Sequence, residues 1–269
     1  MMKNIKYLLL RRTTQISLLF LYFSANAYGW NILAGTFGTS YIFGTIPLAD
    51  PYTTLQVLAT GFVLGVDVLI GAAIITLFYF VIGGRAFCAW VCPINMVTDL
   101  ANWIRRKLNL DKEEVNYRFM KRSARYWIMV VAINVSAIKG VAAFEVVSPI
   151  TIMKRGVVFG FGMGAAVVIV IFLFDLFGVK NGWCGHLCPL GAAYSVIGSQ
   201  SLIRVKHNAD TCTACMDCKT VCPESQVLHM VTKESISVTD GECTNCGRCV
   251  DVCNDDALGF SIRSFTKNK

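Results

Sequence analysis

The 269-residue chain is 55% hydrophobic and 16% charged, against roughly 45–50% and 25% in a soluble globular domain; an ordinary water-soluble enzyme is therefore not the expectation. Its mean hydropathy of +0.54 with only six prolines also excludes a disordered chain, because such chains are poor in apolar residues. The net charge of +8 is gathered beside the apolar runs, so it calls for no nucleic-acid partner.

In chain order, the basic start (Lys3, Lys6, Arg11, Arg12) precedes an apolar segment at 16–33, long enough to read as a first membrane span. The same start followed by Ala25-Asn26-Ala27 also fits a cleavable secretory signal, which leaves the later topology unchanged. Pro47, Asp50 and Pro51 read as a loop, and the apolar stretch 55–84, interrupted by Asp67, reads as a second span. Segments 126–147 and 157–179 complete a four-span reading, with Asn134, Lys139, Glu145 and Asp175 as their polar members. Asp67, Lys139, Glu145 and Asp175 are candidates for proton handling, although interface placement and a Lys139–Glu145 pair explain them as well.

Counting Lys and Arg in the short loops puts the basic N-terminus and the basic loop 85–125 in the cytoplasm. Within that loop, 94–108 has Val97, Ala101, Ile104 and Leu108 set against Asp99, Arg105, Arg106 and Lys107, the pattern of an interfacial amphipathic helix. The remaining segment is mixed in charge and reads as a separate cytoplasmic domain. The expected architecture is thus an α-helical membrane protein, with four transmembrane helices as two similar hairpins over 1–199. A small C-terminal α+β domain of the bacterial ferredoxin type follows over 200–269.

All twelve cysteines fall into close-set motifs. The strongest is Cys212-x2-Cys215-x2-Cys218-x3-Cys222-Pro223, followed by Cys243-x2-Cys246-x2-Cys249-x3-Cys253. Thiolates at such intervals let a tight loop wrap three corners of a [4Fe–4S] cube, and in two-cluster proteins the fourth ligand comes from the other run. Cys212, Cys215, Cys218 and Cys253 are then expected to hold one cluster, and Cys243, Cys246, Cys249 and Cys222 the other. Structural zinc also takes four thiolates, but zinc ribbons use paired Cys-x2-Cys and leave the doubled third cysteine unexplained. Asn254 stands where Pro223 stands in the first run, which changes a turn and removes no ligand.

A second constellation repeats across 96 positions, Phe87-Cys88-Ala89-Trp90-Val91-Cys92-Pro93 and Trp183-Cys184-Gly185-His186-Leu187-Cys188-Pro189. Cys88, Cys92, Cys184 and Cys188 are candidate redox thiols or ligands of a shared centre; regulatory or assembly thiols and plain packing stay open beside that. His186 is a further candidate ligand without a counterpart in the first copy. No Cys-x2-Cys-His motif for attached haem and no Gly-x-Gly-x-x-Gly nucleotide motif occurs, so any electron carriers are clusters, thiols or diffusible molecules.

At these residues the chain resembles the NapH family, the membrane ferredoxin-type subunit of quinol dehydrogenases serving periplasmic nitrate reductase. The likeness runs through Gly84-Arg85 before the first Cys-Pro motif, Asp99-Leu100-Ala101-Asn102-Trp103, Ala143-Phe144-Glu145 with Ser148-Pro149, 182–190 and both terminal cysteine runs. It implies a component of a quinol dehydrogenase in the bacterial inner membrane, multi-pass, with both termini cytoplasmic. Such a protein takes electrons from membrane quinol and passes them, with a NapG-type periplasmic iron–sulfur partner, toward periplasmic nitrate reductase. The related NosH and MauN subunits are alternatives of the same kind. A cytoplasm-facing copper reductase or assembly factor of the CcoG type is the alternative of another class, and a non-catalytic anchor that only organises a complex is a third.

Overall fold

The computed structural model describes residues 5–30, 32–110, 121–160, 162 and 164–263. In chain order these form α1 (Lys6–Tyr28), β1 (Leu33–Gly35), β2 (Thr39–Ile42), β3 (Ile46–Ala49), α2 (Pro51–Ala59), α3 (Val66–Ile82), α4 (Ala86–Trp90) and α5 (Ile94–Lys107). There follow α6 (Ala124–Lys139), α7 (Ala143–Val147), α8 (Pro149–Phe159), α9 (Gly164–Phe177), a π-helical turn (Trp183–Leu187) and α10 (Pro189–Gly198). The chain ends with β4 (Ile203–His207), α11 (Asp217–Val221), a 3₁₀ turn (Ser225–Leu228), α12 (Arg248–Val252) and β5 (Leu258–Ile262).

This corrects the four-span expectation. Among the described residues no helix is long and apolar enough to cross a membrane, which takes about 20 consecutive apolar residues. The apolar runs are present, but glycines divide them. The run at 55–84 breaks between α2 and α3 at Gly61, where φ is +79°, and the run at 126–147 stops at Gly140, a left-handed C-cap at φ +67°. The run at 157–179 breaks at Gly160, with φ +93°. A residue without Cβ takes up such conformations freely and ends a helix there. Among the described helices only α1 is long enough, at 23 residues; it carries Lys6, Arg11, Arg12, Thr13, Thr14 and Gln15, and the segment expected to complete its span turns into strand β1 instead. The two expected hairpins of spans are therefore not formed. Part of the 85–125 loop, residues 111–120, lies outside the described residues.

The chain divides into two compact units. One comprises 15–76 and 92–193. Its sheet, order β1-β2-β3 and antiparallel throughout, occupies the segment read as a loop; Phe43 and Gly44, both at positive φ, turn the chain from Ile42 back to its partner Ile46. Asp50 then caps α2, its carboxylate accepting from the Thr53 N–H at 2.7 Å, with Pro51 in the first turn. Glu145 accepts the Thr151 hydroxyl at 2.7 Å.

Helix α5 forms where the amphipathic pattern placed one, and the face it covers is mixed: Ile94 and Ala101 are buried together with Thr98, Asp99, Asn102 and Arg105, while Leu100, Trp103 and Leu108 are about half exposed. Asn102 donates to Asn181 Oδ1 at 2.8 Å, and Arg105 Nη1 donates to the Gly178 carbonyl at 2.6 Å and to those of Asp175 and Leu176. A cation thus holds the last carbonyls of α9, the favourable end of the helix dipole. Asp175 is fully buried and accepts the Trp183 N–H at 3.0 Å, which starts the π-helical turn.

The other unit comprises 1–14, 77–91 and 194–269. Strands β4 and β5 pair antiparallel, Ile203 opposite Ile262 and His207 opposite Leu258. Over them lies a core of Val205, Val227, Leu228, Met230, Val238, Val252 and Leu258 that also contains Cys218, Cys222, Cys243 and Cys249.

Candidate metal centre

The two terminal cysteine runs fold alike. In each, the second and fourth residues after the leading cysteine are left-handed: Ala214 and Met216 at φ +61° and +64°, Asn245 and Gly247 at +45° and +72°. That alternation curls the backbone into a tight loop with successive N–H groups turned inward, a concave cradle for an anionic group. A short helix follows each loop, α11 or α12, carrying the third cysteine in its first turn and ending on the fourth in extended backbone.

These loops bring the expected ligands together in crossed sets. One cavity is lined by Cys222, Cys243, Cys246 and Cys249, together with Val205, Val227 and Leu228. Its fourth thiol comes from the first run. Around Cys218 the neighbouring thiols include Cys215, Cys253 and Cys212, and Cys218 in turn bears on Cys249. Among the described residues no three His, Cys, Asp or Glu side chains stand close enough to hold one metal ion. A single zinc gathers thiolates to about 2.3 Å, whereas a cubane spreads them over its corners; four thiols around a cavity that Glu224, Thr244 and Arg248 also line fit the larger group.

Burial pushes the Cys243 thiol up to about 11, with Cys246 adding to it while the Asn245 N–H, Arg204 and Arg85 pull the other way. Burial likewise raises Cys249 well above its usual value, reinforced by Cys246, Cys222 and Cys243. Cys218 is also raised, by burial first and then by its neighbouring thiols, against the Lys219 N–H. Thiols held neutral in this way bind iron only on losing their protons, which couples loading to deprotonation.

Residues other than the cysteines hold the loop of the second run. Asn245 donates through Nδ2 to the carbonyls of Ile82 at 2.7 Å and Ile203 at 2.8 Å, and accepts the Cys243 thiol at 3.4 Å. Trp90 donates its indole N–H to the Asn245 carbonyl at 3.1 Å. Arg85 pairs with Glu224 at 2.7 Å, both almost wholly buried, and reaches the Glu242 carbonyl at 2.9 Å. Gln226 bridges the carboxylates of Glu224 and Glu242 at 3.0 and 2.7 Å. The carboxylate of Asp251 accepts the N–H groups of Tyr7 and Leu8 at the start of α1, and the Tyr7 ring lies where a Cβ on Gly247 would stand. The first Cys-Pro motif is thus part of the scaffold of the second cysteine run. Sequence reasoning singled out Gly84-Arg85 and Trp90 only as motif residues and missed Asn245, Asp251 and Arg204. The one available signal was Asn245 standing where Ala214 stands in the first run.

Of the four candidate redox thiols, Cys88 lies on α4 in the cysteine-rich unit. Cys92, Cys184 and Cys188 belong to the other unit. Cys92 and Cys188 are buried, each just before a proline that opens a helix; Cys184 and the buried His186 sit in the π-helical turn.

Comparison with known proteins agrees with this chemistry. The family described as a 4Fe-4S dicluster domain matches residues 204–254, the segment holding both cysteine runs. The family described as a 4Fe-4S binding domain matches twice, at 64–111 and 159–206, one copy around each Cys-Pro motif. The ferredoxin-type protein NapH of Haemophilus influenzae is 45% identical over 96% of this chain and 90% of its own, and that of Escherichia coli is 43% identical over the same shares. The methylamine utilization ferredoxin-type protein MauN of Methylorubrum extorquens is 40% identical, again over 96% and 90%. No solved structure matches. With its paired thiol runs, the chain belongs to the NapH family of ferredoxin-type proteins and is an iron–sulfur electron-transfer subunit carrying 4Fe-4S clusters.

Proposed function

We propose that the chain takes electrons from quinol and passes them, with a NapG-type periplasmic iron–sulfur partner, toward periplasmic nitrate reductase. The observation that carries the reading is the likeness to NapH along nearly the whole chain, joined to a cavity that gathers Cys222, Cys243, Cys246 and Cys249. In this reading Cys212, Cys215, Cys218 and Cys253 hold an outer cluster, and Cys243, Cys246, Cys249 and Cys222 an inner one. Each cluster carries one electron at a time. The protein's part is to bury the inner thiols, donate backbone N–H groups to them and keep the two sets adjacent. In this reading Cys88, Cys92, Cys184 and Cys188 serve as redox thiols, and the cysteine-rich segment faces the cytoplasm at the bacterial inner membrane.

A MauN-type role, as subunit of a periplasmic dehydrogenase system, is the second reading, favoured by 39–40% identity to three such proteins. The test is to mix the anaerobically purified full chain and its iron–sulfur partner with a reduced quinol analogue and follow cluster reduction by electron paramagnetic resonance. Reduction that requires the wild-type cysteines supports the proposal. Failure of quinol to reduce the clusters, with rapid reduction by a cytoplasmic donor, would overturn it in favour of a metal reductase or assembly factor.

A further inference from the structure

The surroundings of the inner thiols contain a charge that the ligand reading does not use. Arg204, on β4, is fully buried. Its guanidinium donates to two neutral carbonyls, through Nη1 to Asp240 at 2.9 Å and through Nη2 to Gly198. Its Nε finds no partner among the described residues. Arg85, also buried near these thiols, is held against the Glu224 carboxylate at 2.7 Å and is offset there; Arg248, half-buried, lines the same cavity. Around Arg204 the other charges are those of Asp240 and Arg263, opposite in sign, together with the Cys243 sulfur itself. Burial lowers its pKa, but a guanidinium stays protonated in proteins. A carbonyl-held cation in a buried place is costly without an anion, and the anion its position points to is the inner thiolate set.

On Cys218 of the outer set the groups that bear are the Lys219 N–H and the thiols of Cys215, Cys253 and Cys212. Net charge and exposure are among the levers that set the potential of such clusters. Burial of the inner thiols disfavours the extra negative charge of the reduced state, and a buried cation counters it, with little solvent between to screen the attraction.

We propose that Arg204 is a positioning residue for electrons: its buried cation raises the reduction potential at the inner ligand set of Cys222, Cys243, Cys246 and Cys249 and leaves the outer set unaffected. The proposal rests on the ligand assignment above and adds to it the residue that separates the two potentials. Reduction at that set gains one electron, with no bond formed or broken.

The test uses full-length protein, loaded and purified anaerobically, in redox titrations read by electron paramagnetic resonance. Arg204→Gln should move one of the two midpoints to a lower potential and leave the other in place, while Arg204→Lys, which keeps the charge, should hold both near wild type. Cys243→Ser identifies the inner signal independently, as the one it removes. If Arg204→Gln does not load, the lysine variant decides: an unshifted inner midpoint supports the proposal and a lowered one overturns it. Unchanged midpoints in a fully loaded glutamine variant, or a shift in the signal that survives Cys243→Ser, would also overturn it while leaving the ligand assignment standing. Wild-type protein without any [4Fe–4S] signal would instead defeat the assignment itself.

Discussion

Cys212 to Cys222 and Cys243 to Cys253 have the same spacing and the same pair of left-handed residues, yet they meet solvent differently. The first run exposes Cys215 and half-exposes Cys212, whereas Cys243, Cys246 and Cys249 are all buried. The difference comes from what is laid over the loops. Asn245, Trp90, Arg85 and Tyr7 close over the second run. Over the first, Asp255 accepts both the N–H and the hydroxyl of exposed Thr213. A loop that wraps a cluster needs only local conformation; a loop that isolates one needs distant parts of the chain.

The comparison can be broken most severely at the ligands. Cys243→Ser is expected to lose the inner centre and loosen the core it belongs to, whereas Cys215→Ser loses only the outer centre. Iron content and thermal unfolding of the two variants should separate them, with iron falling from about eight to about four per chain in Cys215→Ser and unfolding little changed. Next in size is Arg85→Ala, which leaves Glu224 buried without its cation, a loss of about 3–5 kcal/mol for a buried pair broken on one side. Chemical denaturation should show it, and Glu224→Gln should cost less because no bare carboxylate remains.

Asn245→Ala removes two donated hydrogen bonds of 2.7 and 2.8 Å and exposes no new charge. The expected loss is about 1–3 kcal/mol, with faster iron release from the inner site on adding a chelator. The smallest effect belongs to the outer loop: Thr213→Val breaks an exposed contact and should stay within about 0.5 kcal/mol. A large effect there, or none at Asn245, would erase the asymmetry.

The 4Fe-4S class of the metal chemistry was legible in the sequence, because cluster ligands sit at fixed short intervals. The support around them was not. Arg85 stands 139 positions from Glu224 and Trp90 stands 155 from Asn245, and no local pattern joins residues so far apart. The apolar runs were legible as composition, but their division was not. A glycine inside an apolar run is read as a tolerated helix residue until its φ is known, and Gly61, Gly140 and Gly160 each take a positive one. For α5, periodicity located the helix and its buried Ala101 but not the buried polar residues beside it, since Asn102 and Arg105 are drawn inward by Asn181 and by the carbonyls ending α9.

The central claim is that the two cysteine runs exchange their fourth ligand, and pairwise loss of signals tests it most directly. Anaerobically loaded wild-type protein and the single serine variants of Cys212, Cys222, Cys243 and Cys253 would be compared by iron content and electron paramagnetic resonance. Crossed ligation predicts that Cys222→Ser alters the signal that Cys243→Ser removes, and that Cys253→Ser alters the one that Cys212→Ser removes. If Cys222→Ser instead matched Cys212→Ser, each run would hold its own cluster and the account would be wrong.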